Sequence, residues 1–185
     1  MLNYTPLKSV SSAPVVKPGT VGIVTALFVS TLVMWESSGK TPLVPYKDVR
    51  GVVTVCDGIT DAAYPGFVKW GKQYTRSECS AALKHILDTV FLPGVSELLK
   101  HEVTNQQYLM LVDFAYNAGL SNLEKSTLLK KVNQGQCLAA GEEFKRWVYS
   151  GGQKYPGLVK RAVWRSDSFK QGCSDPVWIS KGWKE

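Results

Sequence analysis

Acidic side chains are missing from the first 35 residues, which hold no Asp or Glu and only two basic residues, Lys8 and Lys17. The remaining chain carries the other 20 Lys and Arg against all 15 Asp and Glu, a moderate part of the formal +7. Long Lys/Arg runs and aromatic-basic interleaving are also lacking, which argues against a dedicated nucleic-acid binder. There is no C-x-x-C pair, and the two histidines, His85 and His101, do not complement the cysteines at metal-ligand spacing, so a zinc site is not expected. Internal repeats and low-complexity tracts are absent. What remains is one compact domain of ordinary size with a leading segment to spare, whose positive charge fits an anionic partner: nucleic acid, a membrane surface or an acidic polymer.

The longest uncharged stretch, Pro18 to Trp35 (PGTVGIVTALFVSTLVMW), would span about 27 Å as a helix. Its basic flank precedes it, so a membrane-spanning orientation would leave the N-terminus in the cytoplasm and the body outside. Three readings compete: signal anchor, buried core helix and cleaved signal. No A-x-A-like site follows the run, which disfavours cleavage. Gly19, Thr20, Gly22, Thr25, Ala26, Ser30 and Thr31 dilute its hydrophobicity. The expectation is an uncleaved anchor, residues 1–35, that is able to leave the bilayer, followed by a domain over 36–185.

Within that domain, Ser37 to Pro45 reads as a loop and Tyr46 to Thr60 as a hairpin or three-strand meander around Arg50-Gly51 and Asp57-Gly58. If Val49-Arg50-Gly51 is a three-residue turn with Gly51 left-handed, Asp48 pairs with Val52 and Tyr46 with Thr54, placing Asp48 and Thr54 on one face; a two-residue turn would separate them. Capping-box spacing at Thr75/Glu78 opens a helix that Pro93-Gly94 should interrupt. The same spacing at Thr104/Gln107 opens a buried helix through Tyr116, with Gly119 as its stop. A short helix capped by Ser121 or Asn122, then helices over 136–149 and 157–171 around a loop at 150–152, complete the reading. Cys56, Cys79, Cys137 and Cys173 allow three pairings; keeping each within one half of the chain gives Cys56–Cys79 and Cys137–Cys173, with buried free thiols as the alternative.

Glycosidic hydrolysis needs a protonated acid for the leaving oxygen and a carboxylate that activates water or attacks the sugar. Glu36 follows Leu32-Val33-Met34-Trp35, surroundings expected to raise its pKa. Asp48 sits at a polar turn, where it should stay ionised. Each also has a plain structural reading: the polar end of an apolar segment for Glu36, an Asx-turn for Asp48, and a strand former for Thr54.

Glu36, then Tyr46-Lys47-Asp48, Gly51, Thr54 and Gly58, resembles the Glu-Asp-Thr signature of phage-type lysozymes. Further matches are Phe114-Ala115-Tyr116-Asn117-Ala118-Gly119, Ser126-Thr127-Leu128-Leu129, Arg146-Trp147 and Pro156-Gly157-Leu158 with Arg161, so the resemblance covers about residues 35–165. It is nearest to signal-arrest-release endolysins of phages of Gram-negative bacteria. That likeness implies an α+β lysozyme-like fold, with a small β-lobe and a larger helical lobe behind the signal-anchor segment. It further implies Glu36 as general acid, Asp48 as base or water-positioning carboxylate, Thr54 as a water-holding hydroxyl, and Asn117 and Tyr46 as substrate-binding candidates. The activity implied is inverting hydrolysis of the β-1,4 link between N-acetylmuramic acid and N-acetylglucosamine, with no metal and no cofactor. The implied partners are peptidoglycan and, through residues 18–35, the host inner membrane, with no nucleic acid and a monomeric enzyme released into the periplasm. The chain departs from the family in its longer Glu36-to-Asp48 spacing and in its C-terminal helix, where Ala162 follows Arg161 and Arg165 stands near a usual Glu. Its rivals are a lytic transglycosylase and an inactive wall-binding protein. Arg146, Trp147, Trp164 and His85 are expected to be structural.

Overall fold

The structure, a computed structural model, describes residues 15–37, 40–48 and 51–174. Lys8, most of the tail, and Val49 and Arg50 of the expected turn therefore lie outside the described residues. The chain forms two compact units: Val24–Leu92, and the residues up to Ile23 together with Pro93 onward.

In the first unit, helix α1 (Ala26–Ser37) is followed by a three-stranded antiparallel meander, β2 (Tyr46–Lys47), β3 (Val53–Val55) and β4 (Ile59–Thr60). Phe28 and Leu32, one helical turn apart, are the buried residues of α1. Helix α2 (Arg76–Ile86) opens at the expected capping box: Glu78 N–H donates to Thr75 Oγ1, and Thr75 N–H donates to Glu78 Oε2. The Cys56–Cys79 disulfide ties the β3–β4 turn to this helix, as the within-half pairing anticipated. Pro93-Gly94 does not stop the helical backbone. After α2 the ladder widens to a π-turn over Leu87–Phe91, in which Leu92 N–H donates to Leu87 O, and Pro93 falls in the first turn of α3 (Leu92–Leu98). A first-turn position asks no hydrogen bond of proline.

In the second unit, β1 (Val15–Val16) pairs antiparallel with β5 (Val103–Thr104). The helix expected over Pro18–Trp35 therefore begins only at Ala26 in this form. Pro18-Gly19 makes a tight turn, with Thr20 N–H donating to Lys17 O and Gly19 at φ +75°. Asn105 then clamps the irregular segment that follows: Ile23 N–H donates to its Oδ1 at 2.7 Å, and its Nδ2 donates to Ile23 O at 2.8 Å. Among the described residues no helix is long and apolar enough to cross a membrane.

Helix α4 (Asn105–Ala118) is the buried centre of this unit, opened by the Thr104/Gln107 capping box and ended by Gly119 at φ +96°. The helices that follow it are α5 (Leu120–Lys125), α6 (Thr127–Asn133), α7 (Cys137–Glu143) and α8 (Pro156–Gln171), of which α5 and α8 pack on it. Two local expectations are corrected. Gly119 itself starts α5, and Ser126 rather than Ser121 or Asn122 caps α6, accepting from Leu129 N–H. The helix expected over 136–149 ends at Glu143 and a 3-10 turn through Arg146, after which β6 (Tyr149–Ser150) and β7 (Gln153–Lys154) form a hairpin. Its two-residue turn, Gly151-Gly152, has φ of +57° and +78°, the left-handed pair that twist-matched hairpins require. Cys137 and Cys173 form the second disulfide, joining α7 to the end of α8.

A buried charge cluster joins α4 to α8. Asp113 accepts from Arg161 at both oxygens, at 2.8 and 3.1 Å; Arg165 Nε also donates to it, and Arg165 Nη2 donates to its backbone carbonyl at 3.0 Å. Burial pushes the Asp113 carboxyl up, but Arg161 and Arg165 outweigh this and hold it below the ordinary value. Asp113→Asn should cost about 3–5 kcal/mol, because two packed guanidiniums would lose their carboxylate. A depressed folded pKa contributes stability that is complete above the ordinary aspartate value of 3.8 and disappears as pH falls through the lower folded value. Denaturant titrations should therefore show wild type losing stability below about pH 4 more steeply than Asp113→Asn.

Candidate active site

The hairpin supplies the site's geometry. Tyr46 lies opposite Thr54 and Lys47 opposite Val53, while Asp48 N–H donates to Val52 O at 2.9 Å. Gly51, at φ +78°, returns its N–H to Asp48 O at 2.9 Å. This is the three-residue-turn register, not the two-residue one. Because directly paired residues point to the same face and alternate residues share it, Tyr46, Asp48, Val52 and Thr54 belong to one face. Thr60, paired with Thr54, extends it into β4.

Each group is held differently. Asp48 Oδ1 accepts Val52 N–H at 2.8 Å, so one carboxylate oxygen is oriented by the turn that also sets the register. Thr54 is buried, and its hydroxyl donates to Val52 O at 3.0 Å. Glu36 lies half-buried in the last turn of α1, after Leu32, which is fully buried, and Trp35, which is half-buried. That turn is the negative end of the helix dipole, a position that disfavours a carboxylate's charge.

Tyr46 is where these groups converge. Burial pushes its phenol above the ordinary range, and the charges of Glu36, Asp48 and Asp57 push it further. Three carboxyls are thus within electrostatic reach of one hydroxyl, although twelve residues separate Glu36 from Asp48. Asp57 did not stand out in the sequence, where Asp57-Gly58 reads as a turn signal. It is buried and accepts from Thr41 Oγ1 at 2.9 Å, which ties the segment 40–45 to the β3–β4 turn. In that turn Cys56, at φ +57°, adopts a left-handed backbone although it is not glycine, and its N–H reaches Pro42 O at 2.8 Å. Its disulfide to Cys79 fastens the same point.

Asn117 belongs to the other unit, near the end of α4, where its Oδ1 accepts from Arg165 Nη1 at 3.4 Å. Trp147 packs edge-on against Phe114 with centroids 4.8 Å apart, and Trp164 is buried, so both have packing roles. Arg146 pairs with Glu143, and His85 stacks on Tyr64. Among the described residues no group of three His, Cys, Asp or Glu side chains gathers as a metal site.

Comparison with known proteins gives the extent of the family match and the fold. The SAR-endolysin of Enterobacteria phage PA-2 is 36% identical over 141 residues, 74% of this chain and 82% of that protein. The muramidase domain of SpmX from Asticaccaulis excentricus superposes with a TM-score of 0.68 at 21% identity, covering 80% of this chain and 97% of that one. An endolysin from Escherichia coli O157:H7 phage FAHEc1 gives a TM-score of 0.67 at 22% identity, covering 81% and 96%. These superpositions establish a lysozyme-like α+β fold. The Phage lysozyme profile matches residues 36–164, beginning at Glu36 and taking in the whole β-meander, and the chain belongs to that family of lysozyme-like enzymes.

Proposed function

We propose that the chain is an endolysin that hydrolyses the β-1,4 bond between N-acetylmuramic acid and N-acetylglucosamine, using Glu36 as general acid, Asp48 as the water-activating carboxylate and Thr54 as the hydroxyl that holds the water. The observation that carries this reading is the hairpin register, which puts Asp48 and Thr54 on one face together with Tyr46, the residue on which the charge of Glu36 also acts. A carboxyl at the negative end of a helix beside an apolar run favours holding a proton. A carboxylate oriented by a backbone N–H is positioned to orient a water molecule. On this reading Tyr46 and Asn117 bind sugar, and attack by water on the opposite face of the ring gives inversion, with the carboxyls roughly 6.5–9.5 Å apart.

Glu36→Gln should lower hydrolysis of purified sacculi by at least about 10²- to 10⁴-fold, the typical worth of a general acid, while leaving the thermal unfolding midpoint nearly unchanged. Full activity in that variant would sink the assignment. Products should carry reducing ends of inverted configuration; 1,6-anhydro ends would instead identify a lytic transglycosylase.

The second part of the proposal concerns the N-terminus. Residues 1–35 act as an uncleaved signal anchor that keeps the enzyme inactive at the host inner membrane until release into the periplasm, with residues 36–185 as the catalytic domain. The support is the uncharged run Pro18–Trp35, the SAR-endolysin relatives, and the large apolar side chains that the folded form leaves exposed in that run: Val21, Ile23, Leu27 and Met34. Those side chains are the ones a bilayer would cover. Fractionation before and after depolarisation should show full-length protein moving from membrane to soluble fraction and gaining activity at unchanged mass. A shortened product on release would refute the anchor.

A further inference from the structure

The loop leaving β4 ends in a turn that the proposed chemistry does not use. Residues 69–73 are all exposed, and Trp70 is 67% exposed at the tip. Lys72 N–H donates to Lys69 O at 3.1 Å, and Gly71 at φ +79° completes the reversal. The turn is fastened from beneath by Tyr74, which is 1% exposed. Its hydroxyl accepts Lys69 N–H at 2.8 Å and donates to Phe67 O, and its own N–H reaches Leu43 O at 2.7 Å. Lys72 Nζ lies 4.4 Å above the Tyr74 ring and 2.8 Å from Glu78 Oε1, which binds the turn to the start of α2. Phe67 stacks on Tyr64 with centroids 5.0 Å apart, and Tyr64 stacks on His85.

An indole held in solvent forfeits the free energy of burying a large apolar face, so an exposed Trp on a held turn is a feature that binding would explain. The fastened backbone adds to this, because a preordered turn loses little conformational freedom on contact. Lys69 beside the indole favours an anionic surface, while Lys72 is engaged by Glu78. The loop also springs directly from Thr60, whose strand pairs with the one bearing Thr54, and Ala63 and Tyr64 N–H both close onto Thr60 O.

We propose that the Lys69-Trp70-Gly71-Lys72 turn is a wall-binding platform, with the indole stacking on a sugar face of the glycan strand and Lys69 meeting a carboxylate of the peptide stems. It rests on peptidoglycan being the substrate, and it adds an adhesion point outside the catalytic residues. A bilayer surface also attracts Trp and Lys. Continuity with the strand that carries Thr54 favours the wall.

The test uses the full chain in a Glu36→Gln background, so that sacculi stay intact, and measures co-sedimentation with purified Gram-negative sacculi and with vesicles of phosphatidylethanolamine and phosphatidylglycerol. Trp70→Ala should weaken sacculus binding about tenfold, Trp70→Phe less, and leave vesicle binding unchanged. In the otherwise wild-type chain, Trp70→Ala should slow sacculus hydrolysis at low wall concentration but leave turnover of short soluble glycan fragments within about twofold. Unchanged sacculus binding, or a loss confined to vesicles, overturns the platform. If the wild-type chain releases no new glycan ends from sacculi while Trp70→Ala still weakens binding, the hydrolase reading fails and the platform stands. A parent that does not bind sacculi at all overturns it.

Discussion

The second unit is organised around one carboxylate. Asp113 sits fully buried on α4, where a charge has to be surrounded: Arg161 grips it at both oxygens, and Arg165 donates to its side chain and to its backbone carbonyl. The arrangement fixes α8 against α4 in rotation as well as in register, since two guanidinium planes must meet one carboxyl group. The same Arg165 reaches Asn117 one turn further along, so a side chain proposed to touch sugar is oriented by the group that holds the two helices together. Desolvation consumes much of such a cluster's attraction, so its net stabilisation is smaller than the loss that follows removal of one partner.

The β-meander obeys a constraint of the same kind on a smaller scale. A single residue more or less in the turn after Asp48 would exchange the two faces of β3 and carry Thr54 away from Asp48. Gly51 in its left-handed conformation, with Asp48 receiving Val52 N–H on the side chain and donating its own N–H to Val52 O, leaves one register available. The turn that closes the hairpin is therefore also the device that aligns the site. The left-handed backbone at Cys56 and the disulfide to Cys79 repeat the theme at the next turn, where local geometry unfavourable to most residues is held by a covalent link.

What could be read beforehand was local. Gly51, the capping pairs Thr75/Glu78 and Thr104/Gln107, and the stop at Gly119 each act within a few residues, and each appears where the chain announces it. The alignment of Asp48 with Thr54 followed from one such turn. Contacts between distant positions were not legible. Asp113 lies in a run apolar enough to pass for plain core, and its partners come 48 and 52 residues later. Asp57 looks like a turn former until Thr41 is seen to bond it. The end of α7 was misread because Phe144, Trp147 and Val148 keep helical spacing after the backbone has left the helix; the Gly151-Gly152 pair was the overlooked hairpin signal. The Pro18-Gly19 turn was read as the start of an uncharged helix, and Asn105, 82 residues from Ile23, was not visible as the partner that holds the segment.

Gly22 shows what that long-range complement demands. A Cβ at this position would come within 2.5 Å of Asn105 Oδ1, 2.6 Å of Tyr108 Cδ1 and 2.9 Å of Val16 Cγ2. The folded segment therefore tolerates no side chain there, while a bilayer would welcome almost any apolar one. On the anchor reading, a larger residue at position 22 acts on both sides of a single equilibrium, deepening the membrane well and closing the seat in the protein. The timing of release would then be written in a hydrogen atom, since the side chain of Gly22 is the smallest available and the folded seat leaves room for little more.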